Sequence, residues 1–298
     1  VGREGEGVTV LGDLVTRRGQ VQYGGLLLGR GTPYRWAKLT GWGELPALDS
    51  GTVQRPDAHG ALPGTLLAQS RTIGLDGLVV RGRAAELGAV VGALESGTVP
   101  VVDELPLVIW LDERGPLLCW ARCTRRDLPV GKGYNTGTVV DGAVEWEATD
   151  PRRYALDEQT ASAGLPSPEP GLAWPLAWPL DWGAPGESGA LTVTNGGTAS
   201  THPVIEFRGP MARPSLTNIN SGDALEYDLP LDSDDLLVVD TLAGTATLNG
   251  TASRLYAATA RSVPEATFTF PPGETALVLR GTGTPAASVT VRYRSAYW

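Results

Sequence analysis

Between Ala224 and Gly250 the chain lays out three short strands, and that stretch limits the fold more than any other. Leu225, Tyr227 and Leu229 alternate with Glu226 and Asp228, so an extended backbone sends the apolar side chains to one sheet face and the acids to water. Leu236 to Val239 is an apolar run bounded by aspartates. Thr245 to Leu248 then leads into Asn249-Gly250, the pair best suited to a tight hairpin because both positions accept positive φ. The same grammar recurs at Ala190 to Asn195, Pro203 to Arg208, Ser215 to Ile219, Thr251 to Ala257, Ala266 to Phe270, Thr275 to Gly281 and Ser288 to Tyr297. Phe268 and Phe270 alternate with Thr267 and Thr269, and Val289, Val291 and Tyr293 alternate with Thr290, Arg292 and Arg294. Many short strands with turn residues between them predict a two-sheet sandwich over 190–298, with no repeat of fixed period.

A chain of 298 residues exceeds what one hydrophobic core usually supports, so a second domain is expected ahead of the sandwich. Residues 1–151 read as strands and turns around one helix. Leu87, Val90, Val91 and Leu94 form a single apolar stripe, which predicts a helix from Ala84 to Ser96 closed by a left-handed Gly97. Leu105 to Asp112 and Leu117 to Thr124 flank Glu113-Arg114-Gly115-Pro116 as a hairpin. Val139 to Thr149 reads as a further strand, with Val140, Ala143 or Val144, and Trp146 on one face. Ser50 to Gly64 is a loop by composition, since Gly and Pro punctuate it and no period survives. From 152 to 189 repeated Pro removes the amide donors that a helix or central strand needs. That segment reads as a linker with Trp174, Trp178 and Trp182 as apolar anchors.

Reaction chemistry is hard to place on this chain. Its histidines are His59 and His202, and Asp57 beside His59 has no Gly-x-Ser-x-Gly elbow to serve. Asp103-Glu104 and Asp234-Asp235 are adjacent pairs, which a strand points to opposite faces. The acids from Asp228 to Asp235 lack the spacing of a calcium loop, and Gly131-Lys132-Gly133 alone does not make a phosphate loop. Cys119 and Cys123, about 13 Å apart if extended, cannot bridge and are expected as small buried hydrophobes. The expectation is therefore no enzyme, no catalytic, cofactor or metal residues, and no cofactor. A formal charge of −9 opposes any grip on nucleic-acid phosphates, while an acidic wall would let DNA slide past. No apolar run approaches the roughly 20 residues of a membrane helix, and Val1 to Asp13 lacks a secretory pattern.

The second half carries a recognisable order of motifs. Asn195-Gly196-Gly197, Pro203-Val-Ile-Glu-Phe-Arg-Gly209, Pro214 with Leu216-Thr-Asn218, Asp235-Leu-Leu-Val-Val-Asp-Thr241, Leu248-Asn-Gly250, Phe270-Pro-Pro-Gly-Glu274 and Val291-Arg-Tyr-Arg-Ser-Ala-Tyr-Trp298 together resemble the C-terminal domain of the siphophage distal tail protein family. Arg71-Thr-Ile-Gly-Leu-Asp-Gly77 and the helix after it are similar to that family's N-terminal domain. The resemblance implies a mainly β protein, with a ring-forming β-domain bearing one α-helix at 1–151 and a galectin-like β-sandwich at 190–298. It implies a structural virion protein at the tail tip, assembled in the host cytoplasm: a homo-hexamer whose ring joins the tail tube protein to a tail-associated hub or lysin protein. Tape-measure protein and DNA would pass through the lumen without specific binding, a receptor-binding protein would attach outside, and no membrane would be involved. A carbohydrate-binding tail protein contacting the host surface is the alternative.

Overall fold

The computed structural model describes residues 11–167 and 186–298, and the chain divides into one compact unit up to Leu156 and a second from Asp157 to Tyr297. The linker tryptophans Trp174, Trp178 and Trp182 lie outside the described residues.

In the first unit an antiparallel sheet runs in the order Leu26–Gly29, Gln20–Tyr23, Leu105–Trp110, Pro116–Asp127, Thr138–Ala148, Arg71–Arg81, Tyr34–Arg35. The two outermost strands are consecutive in the chain, and the connection of residues 30–33 can span no more than about 17 Å. The sheet must therefore roll until its edges meet. The inner face of this roll holds Tyr23, Leu28, Ile73, Leu75, Val80, Leu107, Cys119 and Trp146, all essentially closed to water. Tyr23 and Trp146 pack at 5.6 Å between ring centroids, within the range of favourable aromatic pairs. The predicted hairpin pairs Leu105–Trp110 with Pro116–Asp127, Leu107 opposite Cys119.

Two details of the first unit depart from the pattern read in the sequence. In the Thr138–Ala148 strand a bulge at Asp141, with φ of 59°, resets the alternation, so Val139 points inward with Val144 and Trp146 while Val140 is exposed. The helix spans Leu87–Gly97, three residues later than expected at its start, and buries Leu87, Val91 and Leu94. Gly97 does not take a left-handed cap. Its missing Cβ instead makes room for Leu26, which would stand 2.8 Å from it, and Thr98 closes the last turn by donating its hydroxyl to the Leu94 carbonyl at 2.7 Å.

The second unit is a two-sheet sandwich. One sheet runs Gln159–Gly164, Ser288–Tyr293, Val204–Arg208, Leu236–Asp240, Thr245–Leu248, Ala252–Ser253; the other runs Ala190–Asn195, Gly273–Gly283, Met211–Asn218, Ala224–Glu226. Between them lie Ile205, Phe207, Leu216, Tyr227, Leu237, Phe268, Phe270, Val289 and Val291. Asn249 and Gly250 have φ of 51° and 76°, the conformation the hairpin turn requires.

Four expectations need correction here. Glu226, assigned to water, is buried, because Arg213 (3.4 Å), Arg261 (3.1 Å) and the Thr259 hydroxyl (2.9 Å) replace its solvent. Most of 251–257 is a turn of 3-10 helix, Leu255–Ala257, after a strand of only Ala252–Ser253. The 266–270 stretch opens in 3-10 helix Glu265–Thr267, with Phe268 and Phe270 still buried, so the apolar spacing was right and the ladder was not. Arg153–Ala155 and Gln159–Gly164, placed in the linker, are strands; Pro becomes frequent only after them, at 166 and beyond.

Replacing Phe207 by Ala is expected to lower stability by about 3–5 kcal/mol in urea unfolding. Tyr256→Ala, at a ring 81% exposed, should change it by less than about 0.5 kcal/mol.

Candidate functional site

The feature that departs most from a closed globule is an arm formed by residues 45–69. Gln69 donates its backbone N–H to the Ala47 carbonyl at 2.8 Å, Leu48 and Asp49 pair with Ala68 and Leu67, and Val53 and Gln54 pair with Leu62 and Ala61. Arg55 N–H bonds the Gly60 carbonyl near the turn. The stretch Ser50 to Gly64, expected as a loop, is thus the outer part of a two-step antiparallel ribbon. Its Gly and Pro residues interrupt the ladder without abolishing it. Leu45, Leu48, Val53, Leu62, Leu66 and Leu67 on it are all exposed, by 45 to 65%.

The arm springs from a rigid base. The Arg71 side chain is 1% exposed and, among the described residues, has no carboxylate within ion-pair reach. Its Nη1 donates to the carbonyls of Gly41 (2.7 Å), Trp42 (3.3 Å) and Glu44 (2.7 Å), and its Nε to Pro151 (2.7 Å). The Arg153 guanidinium sits 5.6 Å from the centre of the buried Trp42 ring. Burial lowers the pKa of both guanidiniums, yet arginine starts so high that both stay charged at neutral pH. The alternation of Arg71–Arg81 puts Arg71 on the same face as Ile73 and Leu75, although its residue type alone would assign it to water.

The residues weighed for chemistry are scattered. His59 is at the exposed turn of the arm, and the ring of His202 stands 3.2 Å from the Thr241 carbonyl in the other unit. Asp235 accepts from the Asp232 backbone N–H (2.9 Å) and from Asn249 (2.8 Å), bonds that lower its pKa and close the 228–235 acids into a self-satisfied turn. Among the described residues no group of three or more His, Cys, Asp and Glu side chains gathers as a metal site. Cys119 and Cys123 are unpaired and buried, as the sequence suggested, and burial pushes both thiols above their ordinary range. Among the described residues no helix is long and apolar enough to cross a membrane.

Residues 196–297 match the family model described as siphovirus-type tail component, C-terminal domain. Among solved structures, the crystal structure of the SPP1 Dit protein, described as a paradigm of the hub adsorption apparatus in phages infecting Gram-positive bacteria, is similar with a TM-score of 0.64 at 14% identity. The match covers 94% of this chain and 99% of that one. A chain of the phage P2 baseplate in its activated conformation with Ca gives a TM-score of 0.47 at 11% identity, covering 92% and 96%. Among curated proteins no match was found.

Removing the Arg71 donors by Arg71→Met should destabilise the chain by about 2–4 kcal/mol, because four carbonyls lose their partner inside the fold. Limited chymotrypsin digestion should then cut the 45–69 arm faster than in the unaltered chain. A thiol reagent at neutral pH should leave the folded protein unlabelled and reach both cysteines only in denaturant.

Proposed function

We propose that this chain, whose residues 196–297 match the siphovirus-type tail component family model, is the hub of a siphophage tail tip and works by holding other proteins in place. The family match of the second unit carries this reading. The fold shared with the SPP1 Dit structure over nearly the whole of both chains supports extending it to the first unit.

On this reading six copies close into a ring, each first unit lying against the next. Such a ring needs a contact surface that reaches a neighbour, and the arm offers one: six exposed aliphatic side chains on a ribbon whose base is fixed. Burying each contributes up to about 1.5–3 kcal/mol. The ring would continue the tail tube on one side and seat the tail-associated hub or lysin protein on the other, with tape-measure protein and DNA in its bore. The formal charge of −9 suits a bore that DNA crosses without sticking. The second unit would face outward, where a receptor-binding protein could attach. The protein would be built into the virion in the host cytoplasm and would catalyse nothing.

A sugar-binding role for the sandwich is less well supported. No tryptophan of the described residues falls within 157–297, so a sugar there would have to stack on Tyr256, whose ring is 81% exposed.

Mass photometry of the purified chain should find a hexamer, and Leu66→Asp with Leu67→Asp should shift it to monomer without altering its melting temperature. A single copy per tail in electron micrographs of assembled particles would refute the ring. Tight, specific glycan binding by the ringless variant would favour the sugar-binding role.

A further inference from the structure

The rolled sheet of the first unit has a recess at one mouth, where its two edges meet. The recess has a volume of about 520 Å³, and Arg18, Arg30 and Arg35 line it together with Trp36 and Leu111. Its floor is backbone. A Cβ on Gly29, which has φ of +102°, would stand 2.1 Å from the Gly19 carbonyl, so only glycine lets the two strand ends come this close. Arg30 N–H bonds that same carbonyl at 3.3 Å, and the Arg30 stem lies over Gly19. Three guanidiniums are thus set around one cavity by strand ends of fixed geometry.

The nearby acids neutralise them only in part: Asp112 feels the charge of Arg18, and neither Arg30 nor Arg35 is among the charges that shift it. Asp112 is gripped by the Arg114 fork, with Nε 3.0 Å from Oδ1, and those bonds hold its pKa down at about 2. Glu113 reaches only Arg18, at 3.9 Å and with both side chains mostly in water, a pair of little energetic weight. Arg30 and Arg35 make no ion pair with any described residue, nor does Arg17, which runs alongside Gly31 near the rim. In a chain of formal charge −9, two arginines without an ion pair among the described residues, set beside a third on one recess, call for a function.

We propose that this recess is a docking site for a short acidic segment of a partner protein, its Asp or Glu carboxylates taken by Arg30, Arg35 and Arg18 and an adjacent aliphatic side chain lying against Trp36 and Leu111. Arginine favours this ligand because its planar fork matches a carboxylate. The aromatic and aliphatic walls favour a peptide over a bare anion. A nucleic acid fits less well, since its phosphates need an extended basic track, whereas here the positive groups are confined to one cavity on an acidic molecule. The site stands whether or not the chain is a tail hub.

Fluorescence anisotropy at low salt tests it, using the full chain and a short fluorescein-labelled peptide of glutamates flanking one leucine. Binding should be saturable and should weaken roughly tenfold or more in the Arg30→Glu, Arg35→Glu double variant, while Arg208→Glu with Arg280→Glu, at exposed arginines of the other unit, should leave it unchanged. If the double variant fails to fold, Arg35→Glu alone should still weaken binding several-fold. No binding, equal binding by the Arg30/Arg35 variants, or displacement of the peptide by a single-stranded DNA of equal charge at lower concentration would overturn the proposal.

Discussion

The first unit is held in register by one buried cation. Arg71 is shut from water with no carboxylate in ion-pair contact among the described residues, and backbone carbonyls of Gly41, Trp42, Glu44 and Pro151 do the work of solvent. Hydrogen bonds to a charged group are worth about 1.5–3 kcal/mol each, while burying the charge costs several kcal/mol, so the net gain is modest. The geometric effect is larger. One side chain ties the start of the Arg71–Arg81 strand, the turn from which the arm leaves and the corner after the Thr138–Ala148 strand, continuing the hold of the ladders past the ends of the strands they pair.

The second unit solves a similar problem with the opposite sign. The Glu226 carboxylate, buried at the edge of its sheet, gathers Arg213, Arg261 and Thr259, and its own backbone exchanges two hydrogen bonds with the Ser262 hydroxyl, at 2.6 and 2.7 Å. A loop that could not join the ladder is thereby pinned to it. In both units the charged residue turned inward is the one that fixes irregular chain to regular sheet.

These inward charges also mark where reading the sequence stops short. Period-two alternation located the sheets, because burial of one face leaves a direct trace: Val289, Val291 and Tyr293 point inward as their spacing required. It misjudged Glu226, since alternation assigns a face by residue type and takes no account of two arginines arriving from elsewhere in the chain. It missed the shift from Val140 to Val139, since a one-residue bulge has no compositional signature. The arm was legible only as an absence of pattern. A ribbon with both faces in water has no reason to alternate, and its apolar residues acquire meaning only beside a partner. The arginine recess was invisible because Arg18, Arg30 and Arg35 are brought together by the rolling of the sheet, which follows from strand order and not from local spacing.

If the arm makes the ring contact proposed above, magnitudes explain why it would have to be formed before it docks. Burying its six aliphatic side chains would yield on the order of 10 kcal/mol before other costs. Ordering about 25 residues from a random state costs roughly 1–2 kcal/mol for each backbone unit, several times that gain. A floppy arm of this composition would bind more weakly by the ordering it still had to undergo. An isolated two-stranded ribbon is itself marginal, so the short ladders at Leu48–Asp49 and Val53–Gln54 need the Arg71 cage behind them to hold the arm extended. The buried charge and the exposed leucines are therefore parts of one device: the first lowers the entropy still to be lost on contact, and the second supplies the area that contact removes from water.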